Sequence, residues 1–204
     1  MSITAFQTVF DRAETISIDK RKTIAQTIAR DGTIRTMSQG SAPWRFDVRL
    51  PDGPKWTEYR GLIEAMEALD RNTVGEIQIS DPGLDWLAGY QGTNTNTMTA
   101  SFVSGNTITI TSGATGVGYN FRAGDLIQLG SSGSVYSVAA DVPGGTTTVT
   151  LHRPVREAAG SYTLIVGQDV KWRVICTNFP QWTIFARDQI SWSGNFQFVE
   201  ALDQ

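Results

Sequence analysis

The side chains able to do chemistry are few and scattered. His152 is the only histidine in 204 residues and stands just before Arg153-Pro154, at the end of a Thr-rich run. With no second histidine to share a metal and no positioned partner for general acid–base work, it reads as a surface or packing residue. The acids that could pair, Glu14 with Asp19 and Asp81 with Asp85, together with Asp11, fall in turn-like or exposed contexts. Glycoside hydrolysis needs two carboxyls held across a scissile bond, and ordinary solvated acids suit these settings better. Asp81-x-x-x-Asp85 also lacks the dense oxygen ligands of a calcium loop. Gly113-Ala-Thr-Gly116-Val-Gly118 has the glycine density of a phosphate cradle. No Lys-Ser/Thr follows it and no helical pattern starts there, so it reads as a β turn. Cys176, the only cysteine, lies in the apolar run Trp172-Arg-Val-Ile-Cys. It reads as a buried thiol in a chain made in a reducing cytoplasm. No set of residues supplies nucleophile, base and oxyanion site together, so the expectation is a non-enzyme without metal or cofactor.

The tryptophans are the other reactive-looking group. Trp44, Trp172 and Trp192 lie in alternating runs and read as core. Trp56 and Trp86 stand beside turns, where partial exposure is expected; Trp86 with Tyr90 could stack on a sugar or anchor an interface.

The elements that position these residues are mostly strands. From Gly92 to Gln168 the only charged side chains are Arg122, Asp125, Asp141, Arg153, Arg156 and Glu157. The remainder alternates Thr, Ser and Gly with β-branched residues. Six short strands are predicted: 97–102, 107–111, 126–129, 135–138, 147–151 and 162–166. That number in so short a block suits a small barrel, and an oligonucleotide/oligosaccharide-type (OB-like) barrel is one candidate.

The flanks differ from this block. Thr15-Ile-Ser-Ile-Asp alternates, and Asp31-Gly32 is a hairpin signal between the runs holding Ile24 and Ile28 and the run holding Ile34. In Trp44-Arg-Phe-Asp-Val-Arg-Leu50 the apolar residues share one strand face. Tyr59, Leu62, Ile63, Met66 and Leu69 line one face of a single amphipathic helix over about 56–70. A strand follows at 76–80. Three runs, at 170–177, 181–186 and 189–200, resume the tryptophan-bearing strands and complete the first sheet. The prediction is a mainly β chain: a β-sandwich domain with one helix from 1–92 and 169–204, and an inserted small barrel at 93–168.

Net charge is -3 and the sequence pI about 5.2, so the basic excess that phosphate binding needs is missing. No apolar run approaches the roughly 20 residues of a membrane helix, and no basic start with an apolar core marks a signal peptide.

Taken in order, three stretches resemble the distal tail proteins of long-tailed bacteriophages. One is Ser41-Ala-Pro-Trp-Arg-Phe-Asp-Val-Arg-Leu with the helix around Tyr59-Arg-Gly-Leu-Ile-Glu-Ala-Met-Glu-Ala-Leu. The second is Phe121-Arg-Ala-Gly-Asp-Leu-Ile-Gln-Leu with Val135-Tyr-Ser-Val and Thr148-Val-Thr-Leu-His-Arg-Pro. The third is the ending, Ile190-Ser-Trp-Ser-Gly-Asn-Phe-Gln-Phe-Val-Glu-Ala-Leu. The resemblance implies a virion structural protein, assembled in the host cytoplasm and located in the tail. Six copies would form a ring in the baseplate region, joining the tail tube protein to the hub or tip protein and letting the genome pass. It implies no catalytic residue, no sequence-specific nucleic-acid contact and no membrane insertion. Six chains at -3 sum to about -18, and acids facing the lumen would keep DNA from sticking. Ile24, Ile28 and Ile34 on the hairpin are the candidate subunit interface. The other readings are a carbohydrate-binding module for host-surface attachment, or another tail component such as a tube or terminator protein.

Overall fold

The computed structural model describes residues 4–21, 24–28, 30, 33–38, 42–79, 85–102, 104–131, 133–185 and 187–202. The chain is mainly β, as predicted, with antiparallel sheets and three helices in place of the single helix expected.

The first half contains α1 (Thr4–Asp11), β1 (Thr15–Asp19), β2 (Ile24–Ile28), β3 (Ile34–Ser38), β4 (Arg45–Arg49), α2 (Trp56–Glu67), β5 (Val74–Ile77) and α3 (Asp85–Ala88). Next come β6 (Thr99–Phe102), β7 (Thr107–Ser112), β8 (Tyr119–Phe121), β9 (Leu126–Leu129), β10 (Val135–Ser137), β11 (Val142–Pro143), β12 (Thr148–Thr150) and β13 (Gly160–Val166). A 3-10 turn at Gly167–Asp169 leads into β14 (Trp172–Asn178), β15 (Trp182–Phe185), β16 (Gln189–Trp192) and β17 (Phe196–Glu200).

A five-stranded sheet has the order β1-β4-β17-β14-β5. Alternation works as the sequence suggested: Phe46 and Val48 of β4 and Phe196 and Phe198 of β17 are buried, while Arg45, Arg49 and Gln197 are exposed. The unforeseen α1 covers this face. Phe6 and Phe10 meet the Phe198 ring at centroid distances of 5.2 Å each, and Phe10 meets Phe46 at 5.6 Å. Eight residues are too few for a helix to be stable alone, so burial of Phe6, Val9 and Phe10 holds it. Helix α2 ends at Glu67 and buries the predicted stripe of Tyr59, Leu62, Ile63 and Met66. At the end of the sheet Trp44 N–H donates to the buried Glu200 carboxylate at 3.1 Å, and Glu200 N–H returns to Trp44 O at 2.8 Å. The run at 189–200 is two strands. Only β17 joins the large sheet; β16 pairs with β15 in a separate two-stranded ladder.

The low-charge block forms a six-stranded sheet of order β10-β9-β13-β6-β7-β12. It curls until its outer strands touch. Val138 and Leu151 form an isolated antiparallel bridge, and Ala139 N–H donates to Thr150 O at 2.8 Å. The short β8 and β11, absent from the prediction, pair with each other. Inside lie Phe102, Ile108, Ile110, Phe121, Ile127, Tyr136, Val149 and Leu164 among others, all buried.

Compactness divides the chain after Gly75 and after Arg173, not at the predicted 92/93 and 168/169. Gln78, Tyr90 and Gln91 cluster with the barrel because their polar groups are tied there. Gln91 N–H donates to Asp125 Oδ1 at 2.8 Å, Tyr90 donates its hydroxyl proton to Asn120 O, and its ring meets Phe121 edge-on at 6.0 Å.

Candidate functional site

Of the predicted interface residues, the structure brings Ile28 and Ile34 together. β2 and β3 form their own two-stranded ladder in which Ile28 pairs with Ile34 directly across the strands. Both side chains are exposed, 73% and 63% respectively, so the hairpin presents an uncovered aliphatic pair to solvent. Ile24 lies at the opposite end of the ladder, across from Ser38. The turn signal Asp31-Gly32 falls outside the described residues.

A second exposed apolar hairpin went unrecognised in the sequence, where its strands were assigned to the large sheet. In β15–β16 the side chains of Ile184 and Phe185 are 50% and 46% exposed, on opposite faces of the ladder. The base of this hairpin is firmly held. Trp182 stacks on Trp56 at 4.9 Å between centroids, and its indole N–H donates to Glu67 Oε1 at 3.2 Å. The outer side of β16 is bonded to residues 52–56: Gly53 N–H to Ile190 O at 2.8 Å, Ile190 N–H to Pro54 O at 2.9 Å, and Trp56 N–H to Asp188 O at 2.8 Å. Trp192 N–H donates to Asp52, whose carboxyl is held below the usual range chiefly by that bond. Arg187 and Asp188, both at positive φ, make the tight reversal. Two adjacent non-glycine residues in that conformation were a turn signal too weak to find without the structure.

The residues weighed for chemistry are occupied elsewhere. His152 Nδ1 accepts the Ser137 N–H at 3.0 Å while the His152 backbone N–H donates to Ser137 O at 3.0 Å, so it sits where the outer strands of the curled sheet meet. Beside it, buried Arg153 donates to Val135 O at 3.0 Å and lies over the Tyr136 ring. Tyr136 donates to Glu157 Oε2 at 2.6 Å, and burial, with that carboxylate next, drives its hydroxyl far above the usual range. Asp19 is paired to Arg21, whose hydrogen bonds lower its carboxyl, and Glu14 reaches Arg49 at 3.7 Å. Asp81 is outside the described residues. Among the described residues no group of three or more His, Cys, Asp or Glu side chains could hold a metal ion.

The glycine-rich loop is a closed turn. Gly145 N–H donates to Thr115 O at 2.8 Å and Gly144 N–H to Gly118 O at 2.7 Å. A Cβ at Gly113, whose φ is +79°, would come within 2.2 Å of Thr97 O, which explains glycine there. Cys176 is half-buried; its thiol donates to Asn178 O at 3.4 Å, and burial pushes it up to about 11.

The supposed sugar platform is only half present. Trp86 is 69% exposed, but Tyr90 is half-buried, its ring and hydroxyl committed to the barrel.

No family model and no curated protein matches the chain.

A groove of about 810 Å³ also runs along the barrel unit, lined by Glu76, Gln78, Asn96, Gln128, Asp169 and Lys171 among others. Its polar floor serves the fold: Gln128 donates to Gly133 O and Lys171 O, at 2.7 and 3.1 Å, and accepts from Lys171 N–H. Gln78 donates to Gln168 O at 2.7 Å. Among the described residues no helix is long and apolar enough to cross a membrane.

Proposed function

We propose that the chain is a structural subunit of a phage tail, a distal tail protein that assembles into a six-membered ring between the tail tube and the host-recognition tip. The observation carrying this reading is the solvent-exposed Ile28–Ile34 pair on a hairpin outside every larger sheet. A two-stranded ribbon is marginal by itself in water, and two bare isoleucines facing each other across it gain most by being covered. Repetition of one such contact around an axis yields a closed ring. The resemblance of the flanks and barrel runs to distal tail proteins supplies the rest: a virion location, tube and hub partners, an inserted outward domain of OB-like type, and a role without catalysis.

Negative-stain electron microscopy over a range of concentrations, with native mass on the same sample, tests this. Six-fold rings are expected for the wild type. Ile28→Asp should leave the monomer folded, since the side chain is largely in water, and abolish the ring. A normal ring from that variant refutes the role of the hairpin, and long tubes would favour a tube protein.

A further inference from the structure

On the reading that this chain self-assembles, we infer that the β2–β3 hairpin of one copy docks on the open edge of β15 in the next, beside helix α2. Three observations converge on this contact.

The first is backbone valence. In the β15–β16 ladder the outer side of β16 is bonded to residues 52–56, whereas among the described residues β15 pairs with β16 alone. Its other side is a row of strand donors and acceptors of the kind that recruits a further strand. The β2–β3 ribbon likewise belongs to no larger sheet.

The second is apolar matching. Ile184 lies exposed on the β15 face that carries Trp182 of the Trp182–Trp56 stack, and Phe185 lies exposed on the opposite face. Ile28 and Ile34 stand exposed on the other hairpin. Each pair is too small to be an interface alone, but two unlike patches on one molecule make a head-to-tail contact, the type that generates rings.

The third is charge. Residues 19–38, the ribbon and the chain leading into it, contain Lys20, Arg21, Lys22, Arg30 and Arg35 against Asp31 and Asp19, the latter paired with Arg21, a net +3 in a chain whose total is -3. The exposed side of residues 56–70 carries Glu58, Glu64, Glu67 and Asp70 against Arg60, a net -3. Glu67 touches Trp182 itself, which places the acidic rim at the base of the β15 hairpin. A basic ribbon meeting an acidic helix orients the encounter and disfavours the like-with-like alternatives, ribbon on ribbon or helix on helix.

The test uses the full chain with Cys176→Ser, adding Ile34→Cys to one preparation and Ile184→Cys to another. Mixed and mildly oxidised, the two should form a 34–184 disulfide dimer in several-fold excess over either preparation alone. The yield should fall several-fold on going from about 50 mM to about 500 mM salt as the exposed charges are screened. Like–like dimers in excess, or no cross-link at the highest soluble concentration, overturn the inference. Native mass of Ile184→Asp separates it from the broader proposal. If Ile28→Asp blocks assembly while Ile184→Asp still forms rings, the ring stands and β15 is not the receiving edge. Unchanged circular dichroism of both variants shows that neither merely unfolds, since both positions are at least half exposed.

Discussion

Replacing Asn120 by aspartate tests the polar centre of the barrel unit with almost no change in shape. Asn120 is completely buried. Its Oδ1 accepts from Asn94 Nδ2 at 2.9 Å and from Thr115 N–H at 2.8 Å, while its Nδ2 donates to Thr146 O at 3.0 Å. A carboxylate keeps the two accepted bonds but turns an oxygen toward the Thr146 carbonyl, in a site closed to water. A protonated carboxyl restores the donor. The folded variant therefore holds its proton, its carboxyl raised above the value of about 3.9 it has when unfolded. Since the folded pKa is the higher, the variant is nearest to wild type below about pH 4 and loses stability as pH rises. If the proton is retained to pH 7, the loss is about 1.4 kcal/mol for each of roughly three pH units, or about 4 kcal/mol. Urea unfolding of both proteins at pH 4, 5.5 and 7 by far-ultraviolet circular dichroism would measure the gap. A gap that stays below about 1 kcal/mol at pH 7, or that does not grow with pH, refutes the assignment of Asn120 as a fully engaged donor and acceptor.

Two further predictions concern Phe10 and Cys176 in the other unit. Phe10→Ala should cost about 3–5 kcal/mol, because the ring is buried against both Phe46 and Phe198; hydrogen exchange should show α1 opening before the five-stranded sheet. The Cys176 thiol, pushed up to about 11 from a usual 9.0, should react with a maleimide at pH 8 about 100-fold more slowly in the native protein than in urea, since only the thiolate attacks. Equal rates would mean that the thiol is not shielded.

What the sequence made legible was periodic. Alternation located β4 and most barrel strands, and the spacing of Tyr59, Leu62, Ile63 and Met66 located α2, because in each case one face is buried along its whole length. Helix α1 escaped because Thr4–Asp11 is short and rich in Thr, Phe and Val, residues with mediocre helix propensity; packing on Phe46 and Phe198 overrides it. The strands Tyr119–Phe121 and Val142–Pro143 are too short to show a period, and their partners are distant in sequence. The domain edges moved for the same reason, since nothing near Gln91 announces that its amide will be held by Asp125. The β2–β3 hairpin was legible from Asp31-Gly32 but its register was not, since a two-residue turn there would set Ile28 against Arg35 and the ladder sets it against Ile34; the exposed β15 resembled a core strand because exposure of Ile184 and Phe185 depends on which neighbours are absent.

The strand orders also bear on synthesis at the ribosome. In the barrel the latest-made strand, β13, is the one that lies between β6 and β9; in the large sheet the latest, β17, lies between β4 and β14. The large sheet is thus two separate pieces until β17 emerges and joins them; in the barrel, β13 closes the gap between β9 and β6, whose outer neighbours are linked only by the Val138–Leu151 bridge. A nascent chain stopped before residue 196 lacks the strand that links β4 to β14, however well its earlier hairpins have formed. Such topology folds late rather than progressively. A product truncated there leaves the β1–β4 and β14–β5 pairs unjoined, with the inner edges of β4 and β14 open.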